Sequence, residues 1–408
     1  MSEIEALVIG AGPAGLMAAE TLAKAGVKVL VADGSPQPAR KFLLAGRGGL
    51  NLTHSEPLDT FLTRYGGARS RLEPAIRAFD PDALRAWAEG LGEPTFVGSS
   101  GRVFPKSFKA TPLLRAWLGA LGALGVELRT RWRWQGFDAT GAARFTTPEG
   151  ENTLSAGAYV LALGGASWPR LGGDGAWTPI LRDWGLRVAP LRPANAGLRV
   201  NWSTTFRDRF AGEPLKAARW RFGETETRAE AVVTREGVEG GAIYALGAAL
   251  RTALERDGEA TVSLDLKPDW TFEKLAERLG RPSDASISNF LRKAAQLSSV
   301  AIGLLRESGE IPRQAEALAR RIKACPLAIS GLGGLTRAIS SAGGVAWAEI
   351  DASFGLVKRP GVFVAGEMID WEAPTGGYLL QASFATGAAA GRGARAWLAG
   401  EALRAAER

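Results

Sequence analysis

Three groups of residues in this 408-residue chain have types and spacings suited to chemistry. Near the start, Gly10, Gly12 and Gly15 form G-x-G-x-x-G around Pro13 and Ala14, and Asp33-Gly34 follows. Such a turn aims backbone N–H groups at a pyrophosphate on a helix N-terminus, and the acid accepts hydrogen bonds from ribose hydroxyls. The second group is "GRGGLNLTHSE", Gly46 to Glu56. It combines bare backbone at Gly46 and Gly48, the guanidinium of Arg47, the small polar side chains of Asn51 and Thr53, and the chain's only histidine, His54. His54 is the natural titrating group near neutral pH, and a capping role stands beside the acid–base one. The third group lies near the end: Gly366-Glu367, Asp370, then Gly376-Gly377-Tyr378. Tyr378 is either a proton donor or a packing aromatic. Lys41, soon after Asp33, either reaches the adenosine half of a dinucleotide or is solvated.

Hydrophobic periodicity shows what must position these groups. Leu7 to Ile9 read as a buried strand, Pro13 to Ala25 as a small-residue helix ended by Gly26, and Val27 to Ala32 as a second strand running into Asp33. The glycine motif therefore sits in its full context, where Gly10 allows the tight turn, Gly12 close approach to pyrophosphate, and Gly15 helix–strand packing. "YVLALGGASWPRLGGDGAW" (Tyr159 to Trp177) is another buried strand running into Gly164 and Gly165. Val362 to Ala365 form a late strand, and a helix is expected from about Tyr378. A last strand ending in glycine plus an acid, then a glycine-led helix, resembles FAD-containing reductases and oxidases. That resemblance implies Glu367 and Asp370 at the ribityl chain, and the N–H groups after Gly377 at the flavin pyrimidine edge, where reduction places negative charge. A single G-x-G-x-x-G argues against a separate nicotinamide domain, so NAD(P)H is a transient co-substrate or another donor serves.

From about Ala194 the pattern changes to short alternating stretches such as "AARWRFG" and "EATVSLDL", which read as antiparallel strands. "WTFEKLAERLG", "SISNFLRKAA", "SSVAIGLLRESG" and "QAEALARRIKAC" then show helical spacing, with Ser283 and Ser286 as helix starters. The expected fold class is α/β: a Rossmann-like FAD-binding domain carrying an inserted β-barrel-like region and a helical subdomain. The expected bounds are 1–193 with 326–408 for the FAD-binding domain, 194–267 for the β region and 268–325 for the helices. Arg219, Trp220, Arg221, Arg292, Arg320 and Arg321 are candidates for an RNA-facing surface of the insert.

Taken together, "GRGGLNLTHSE", "SSGRVFPKSFKATPLLRAWL", "LALGGASWPRLGGDGAW", "SAGGVAWAEID" and "VAGEMIDWEAPTGGYLLQASFATG" resemble the BaiN/YhiN-like NAD(P)/FAD-dependent oxidoreductases, named after a Haemophilus conserved hypothetical protein. The resemblance implies bound FAD, a β-rich insertion and reduction of an activated C=C bond, in a small metabolite or, in one branch, in an RNA uracil. This chain departs at one point. Relatives commonly carry a cysteine before the asparagine of Gly-Arg-Cys-Asn, and here Leu50 precedes Asn51, so a thiol acid is absent from that position. The sole cysteine, Cys325, reads as a core residue.

Composition bounds the rest. One cysteine excludes an intramolecular disulfide and a cysteine metal cluster; no metal is expected, and a reducing cytoplasm is the expected home. No apolar run approaches membrane-spanning length. Fifty basic against 42 acidic residues give a net charge of +8, which either steers an anionic partner such as RNA or reflects an Arg-rich coding bias. Composition leaves the oligomeric state open. The readings that follow are an FAD-dependent reductase of an activated double bond, an FAD oxidase or dehydrogenase of a small metabolite, or a non-catalytic flavin-containing RNA-binding protein.

Overall fold

The computed structural model describes residues 4–216, 218–282 and 284–406, and of Arg47 and residues 404–406 the backbone alone. Ser283 thus lies outside the described residues. The chain forms two units, one running to Arg192 and resuming at Ser340, the other Pro193–Ile339.

The first unit is built on a six-stranded sheet in the order Gly355–Leu356, Arg359–Val364, Ala158–Leu161, Ala6–Ile9, Val29–Asp33, Glu127–Thr130. All pairings are parallel except the first. The central strands are buried along their length, which is why they read as continuous apolar runs without alternation. Pro13–Lys24 leaves the first strand as a helix with Pro13 in its first turn and extended Gly12 as its uncapped N-terminus. The C-terminal helix, Tyr378–Ala406, packs on it through small residues. A Cβ on Gly387 would lie 2.2 Å from the Ala14 carbonyl oxygen, and one on Gly391 2.9 Å from that of Ala18. Glu20, buried on the inner face of the first helix, accepts the indole N–H of Trp117 at 2.6 Å and of Trp87 at 3.1 Å, so its burial is compensated. A small antiparallel sheet, Thr53–His54, Arg102–Pro105, Thr95–Val97, carries the "THSE" segment.

The second unit has its own core. It holds two antiparallel sheets in open strand order, one of five strands and one of four, and the helices Gly241–Asp257, Phe272–Leu279, Ile287–Ala294, Ser299–Glu307 and Ala315–Lys323. Val262, Leu264 and Leu327 from the sheet share one cluster with Leu275, Leu291, Leu305 and Ile322 from the helices. The two inserted regions expected at 194–267 and 268–325 therefore share a core. The chain returns to the first unit at Ser340, later than the expected 326, because Cys325–Ile329 pairs along Ala260–Asp265. Cys325 itself is 2% exposed, and burial pushes its thiol pKa up. No helix among the described residues is long and apolar enough to cross a membrane.

Candidate functional site

Every residue of the three chemistry-bearing groups lies in the first unit, and the structure sorts them by what they touch. Gly10, with φ +107, and Gly15 face protein: their added Cβ atoms would lie 2.3 Å from the Ala162 carbonyl oxygen and 1.9 Å from that of Gly10. Gly12, Gly48 and Gly164 face open space instead. Asp33 spans the turn, one carboxylate oxygen accepting the Ala11 N–H and the other the Ser35 N–H, both at 2.7 Å. Pro13 and Ala14 begin the helix behind it, and Gly34 makes ordinary contact with Arg133. Gly12 thus has an open side before a helix without a side-chain cap, the arrangement that anion sites of the dinucleotide kind use. Gly46 turns away from that space: its α-carbon is pressed against Ala110. The side chain of Arg47 lies outside the described atoms.

Lys41 and Glu367, 326 residues apart, meet in one ion pair at 2.7 Å. Lys41 also donates to the Ser167 hydroxyl at 2.8 Å. Glu367 accepts the Ser341 N–H at 2.9 Å and that of Gly165 at 3.4 Å. Burial raises the Glu367 pKa, but the Lys41 charge and these donors outweigh it and hold the carboxyl below its usual range. Lys41 is therefore neither solvated nor placed by this geometry on an adenosine half, and Glu367 is committed to protein donors. Gly165 is packed beneath Ser341, and Gly366 against Ala14. Asp370 sits half-buried, its pKa raised by burial and by neighbouring Glu372 against the lowering effect of Arg192.

"THSE" is welded to the C-terminal helix. A Cβ on Gly377 would lie 2.5 Å from the Thr53 α-carbon, so only glycine lets the helix start there. Gly376 likewise has no room for a side chain beside the Tyr378 ring. The Tyr378 hydroxyl donates to Glu56 at 2.7 Å, and Arg64 grips both oxygens of Glu56 at 3.0 and 2.6 Å. The Tyr65 hydroxyl donates to the Tyr378 carbonyl at 2.8 Å. Burial opposes ionisation of Glu56, yet the bonds from Arg64 and Tyr378 keep its pKa below the usual carboxylate range. Burial and Glu56 push the Tyr378 pKa well up. The His54 ring stacks on Tyr378 at 5.6 Å. Its Nδ1 accepts the Glu56 N–H at 3.1 Å, which in the neutral ring assigns the proton to Nε2, donated to the Ser100 carbonyl at 3.0 Å.

These bonds bear on the two expected acids. Both nitrogens of His54 are engaged by main chain, and the only proton of Tyr378 goes to Glu56. The geometry gives them the work of holding a loop to a helix. Sequence reasoning passed over Glu56, Arg64, Tyr65, Ser341 and Gln381. Glu56, Ser341 and Gln381 lay inside quoted stretches but were given no role; Arg64 and Tyr65 lie outside them, and the partner of Tyr65 is 313 residues away.

Beside this weld, polar atoms lack partners. Asn51 Oδ1 and Nδ2, Thr53 Oγ1 and Gln381 Oε1 are buried and unpaired among the described residues. Gln381 Nε2, by contrast, donates to the Phe79 carbonyl at 2.6 Å. Leaving such groups unpaired costs about 1–3 kcal/mol each, and a bound group that supplies partners would remove that cost; Trp134 Nε1 and Trp220 Nε1 are likewise unpaired among the described residues. A donor–acceptor set near the start of a 29-residue helix fits a planar ring with alternating carbonyl and N–H groups, and the residues present fit FAD.

Comparison with known proteins agrees with that fit. The profile of the HI0933-like protein Rossmann domain matches residues 4–393. A 3-dehydro-bile acid delta(4,6)-reductase of Clostridium scindens is 25% identical over 408 aligned positions, covering 95% of this chain and 98% of that protein. A ribosomal RNA dihydrouridine synthase of Escherichia coli is 26% identical, covering 93% and 95%. Among solved structures, a 3-ketosteroid delta1-dehydrogenase of Sterolibacterium denitrificans superposes with a TM-score of 0.55 at 13% identity, covering 98% of this chain and all of that one, a likeness that shows the fold alone.

Proposed function

The chain belongs to the HI0933-like family and is an FAD-dependent oxidoreductase, and from that premise we propose that it is a two-electron reductase of an activated carbon–carbon double bond. The observation that carries the proposal is the buried polar atoms of Asn51, Thr53 and Gln381 left unpaired among the described residues, with Thr53 against Gly377 and Gln381 in the first turn of the C-terminal helix. Support for the bond type comes from the two full-length relatives, whose names both describe saturation of a C=C bond, one in a bile acid and one in a uridine.

In this reading FAD supplies the exchange of two electrons and a hydrogen with the substrate carbon. Gly12 and the helix behind it hold the pyrophosphate, and Asp33 the adenosine ribose. Asn51 and Thr53 hydrogen-bond the edge of the ring system, and Gly48 lets main chain approach it. The N–H groups after Gly377 stabilise negative charge arising at that edge. The Lys41–Glu367 pair fixes Ser341 and Gly165 in the wall; Glu56, Arg64, His54 and Tyr378 keep the loop on the helix. With both expected acids engaged, the chain's own contribution is orientation and electrostatic preorganisation, and the final proton arrives from water.

NADH or NADPH is the reductant, docking transiently, and the substrate is a small unsaturated metabolite or an RNA uracil. The test is anaerobic titration of the FAD-loaded protein. We expect loss of the yellow absorbance on adding NADH or NADPH, and its return on adding an enone or a uridine-containing RNA. A flavin that neither nicotinamide bleaches rejects the donor. A flavin reduced by dithionite that no activated alkene reoxidises rejects the reductase reading.

A further inference from the structure

The small sheet that carries His54 also bears a set of aromatic rings, lying against Gly49, to which the reductase reading gives no role. Phe96 and Phe104 lie opposite each other on paired strands, their rings 5.8 Å apart at 27°. Phe108 joins them, 5.4 Å and 24° from Phe104 and 5.1 Å from Phe96. The stack is not core. Phe108 is 48% exposed, one of the few large apolar side chains so exposed among the described residues, and Phe96 and Phe104 are partly exposed. Phe108 also has φ +59, a left-handed conformation that bulky side chains avoid. The turn is held by its N–H on the Pro105 carbonyl and by its own carbonyl accepting the Leu50 N–H, both at 2.9 Å.

Charge surrounds the rings. Arg102, Lys106 and Lys109 are all exposed, and none of them has an ion pair among the described residues. The nearby acid Glu93 is engaged by the Ser107 hydroxyl at 2.8 Å. Of the insert residues expected to face RNA, Trp220 is fully buried, Arg219 and Arg221 pair with Glu226, Arg320 pairs with Glu316, and Arg321 bonds Ser308; Arg292 is exposed and donates to the Asn289 side chain at 2.9 Å.

We propose that Phe96, Phe104 and Phe108, with Arg102, Lys106 and Lys109, form a binding surface for single-stranded nucleic acid. Flat bases stack on the exposed ring system, and the three unpaired cations neutralise the phosphates between them. Aromatic rings on a sheet face with a basic rim is how sequence-tolerant single-strand binding is built. An anionic membrane would be met by the same cations but needs a broad apolar insertion. A steroid-like metabolite would use the rings and leave the cations without a role. The proposal goes beyond the reductase reading and holds whether or not that reading does.

The test uses FAD-loaded protein and a fluorescein-labelled twelve-nucleotide oligouridylate, followed by anisotropy across a salt series. Phe108→Gly removes the outermost ring while suiting the left-handed turn, so melting temperature and flavin absorbance should hold while affinity falls about five- to a hundredfold. Lys106→Ala and Lys109→Ala should each flatten the dependence of log Kd on log salt by about 0.7. No anisotropy change at low salt for the wild type overturns the proposal. So does Phe108→Gly binding as tightly as wild type, which would leave only diffuse charge. Capture of the protein by phosphatidylglycerol vesicles without oligonucleotide binding, or a dimer that Phe108→Gly dissociates, would assign the face to a membrane or a second copy and equally refute it.

Discussion

At the scale of residues, the site is defined by which polar atoms are satisfied. Asn51 has both side-chain polar atoms buried without partners, whereas Glu367 and Glu56 are saturated by protein donors. Replacing Asn51 by Leu should therefore leave the apoprotein as stable or about 1 kcal/mol more stable, since an unmet desolvation cost disappears. The same change should weaken FAD binding about tenfold or more, as one charge-neutral pair of hydrogen bonds is lost. Equal FAD affinity in wild type and variant, by equilibrium titration of flavin fluorescence, would remove Asn51 from the site. Glu56 gives a pH prediction. Its carboxyl is held below the ordinary glutamate range in the folded chain, so its contribution is present above that range and lost as pH falls through the lowered folded value. Glu56→Gln should cost about 1 kcal/mol at neutral pH, discounted because Arg64 is 43% exposed, and should flatten the acid limb of the stability–pH profile. A variant whose denaturation midpoint tracks wild type at every pH would contradict this.

At the scale of elements, helix interiors show how one residue type means different things. Gly119 and Gly387 both sit inside helices and carry the same propensity penalty of about 1 kcal/mol relative to alanine. A Cβ on Gly119 meets nothing within 4 Å, whereas one on Gly387 would lie 2.2 Å from the Ala14 carbonyl oxygen. Gly119→Ala should stabilise the protein by up to about 1 kcal/mol. Gly387→Ala should destabilise it by about 1–3 kcal/mol, because backbone cannot step aside as a flexible side chain can. Chemical denaturation of the pair reads the contrast directly, and equal signs would mean the two helices approach less closely than described. Gly387 also ties the glycine turn at the first helix to the element whose start abuts Thr53, so the variant should lose flavin more readily as well.

At the scale of the whole molecule, two separate cores divide the work. The first unit contains every candidate cofactor contact, and the second folds strands and helices around one apolar cluster. Short alternating runs between about 194 and 267 and helical spacing beyond them were both legible, but each piece is too small to own a core, and burial joined them. The net charge of +8 was legible too, yet its meaning was not. Several arginines of the insert are matched by acids, Arg219 and Arg221 by Glu226, Arg256 by Asp257, Arg281 by Glu277 and Arg320 by Glu316. Arg102, Lys106 and Lys109, without an ion pair among the described residues, lie close in the chain to three stacked phenylalanines of the other unit, a grouping that no count of charge along the chain shows.

The sequence by itself determined what depends on neighbours along the chain: the buried parallel strands, the glycine turn with its helix and acid, the late strand and helix, and the family pattern. Each follows from local period and from backbone conformations that few residue types allow. Only the tertiary structure decided which groups are free to do chemistry. Lys41 with Glu367, Tyr378 with Glu56 and Tyr65 with Tyr378 are 326, 322 and 313 residues apart. These pairings consumed the groups that looked reactive and left Asn51, Thr53 and Gln381 open. Hydrogen-bond satisfaction is a property of the packed interior, where a donor's partner is set by position in space, and no spacing in the chain encodes it.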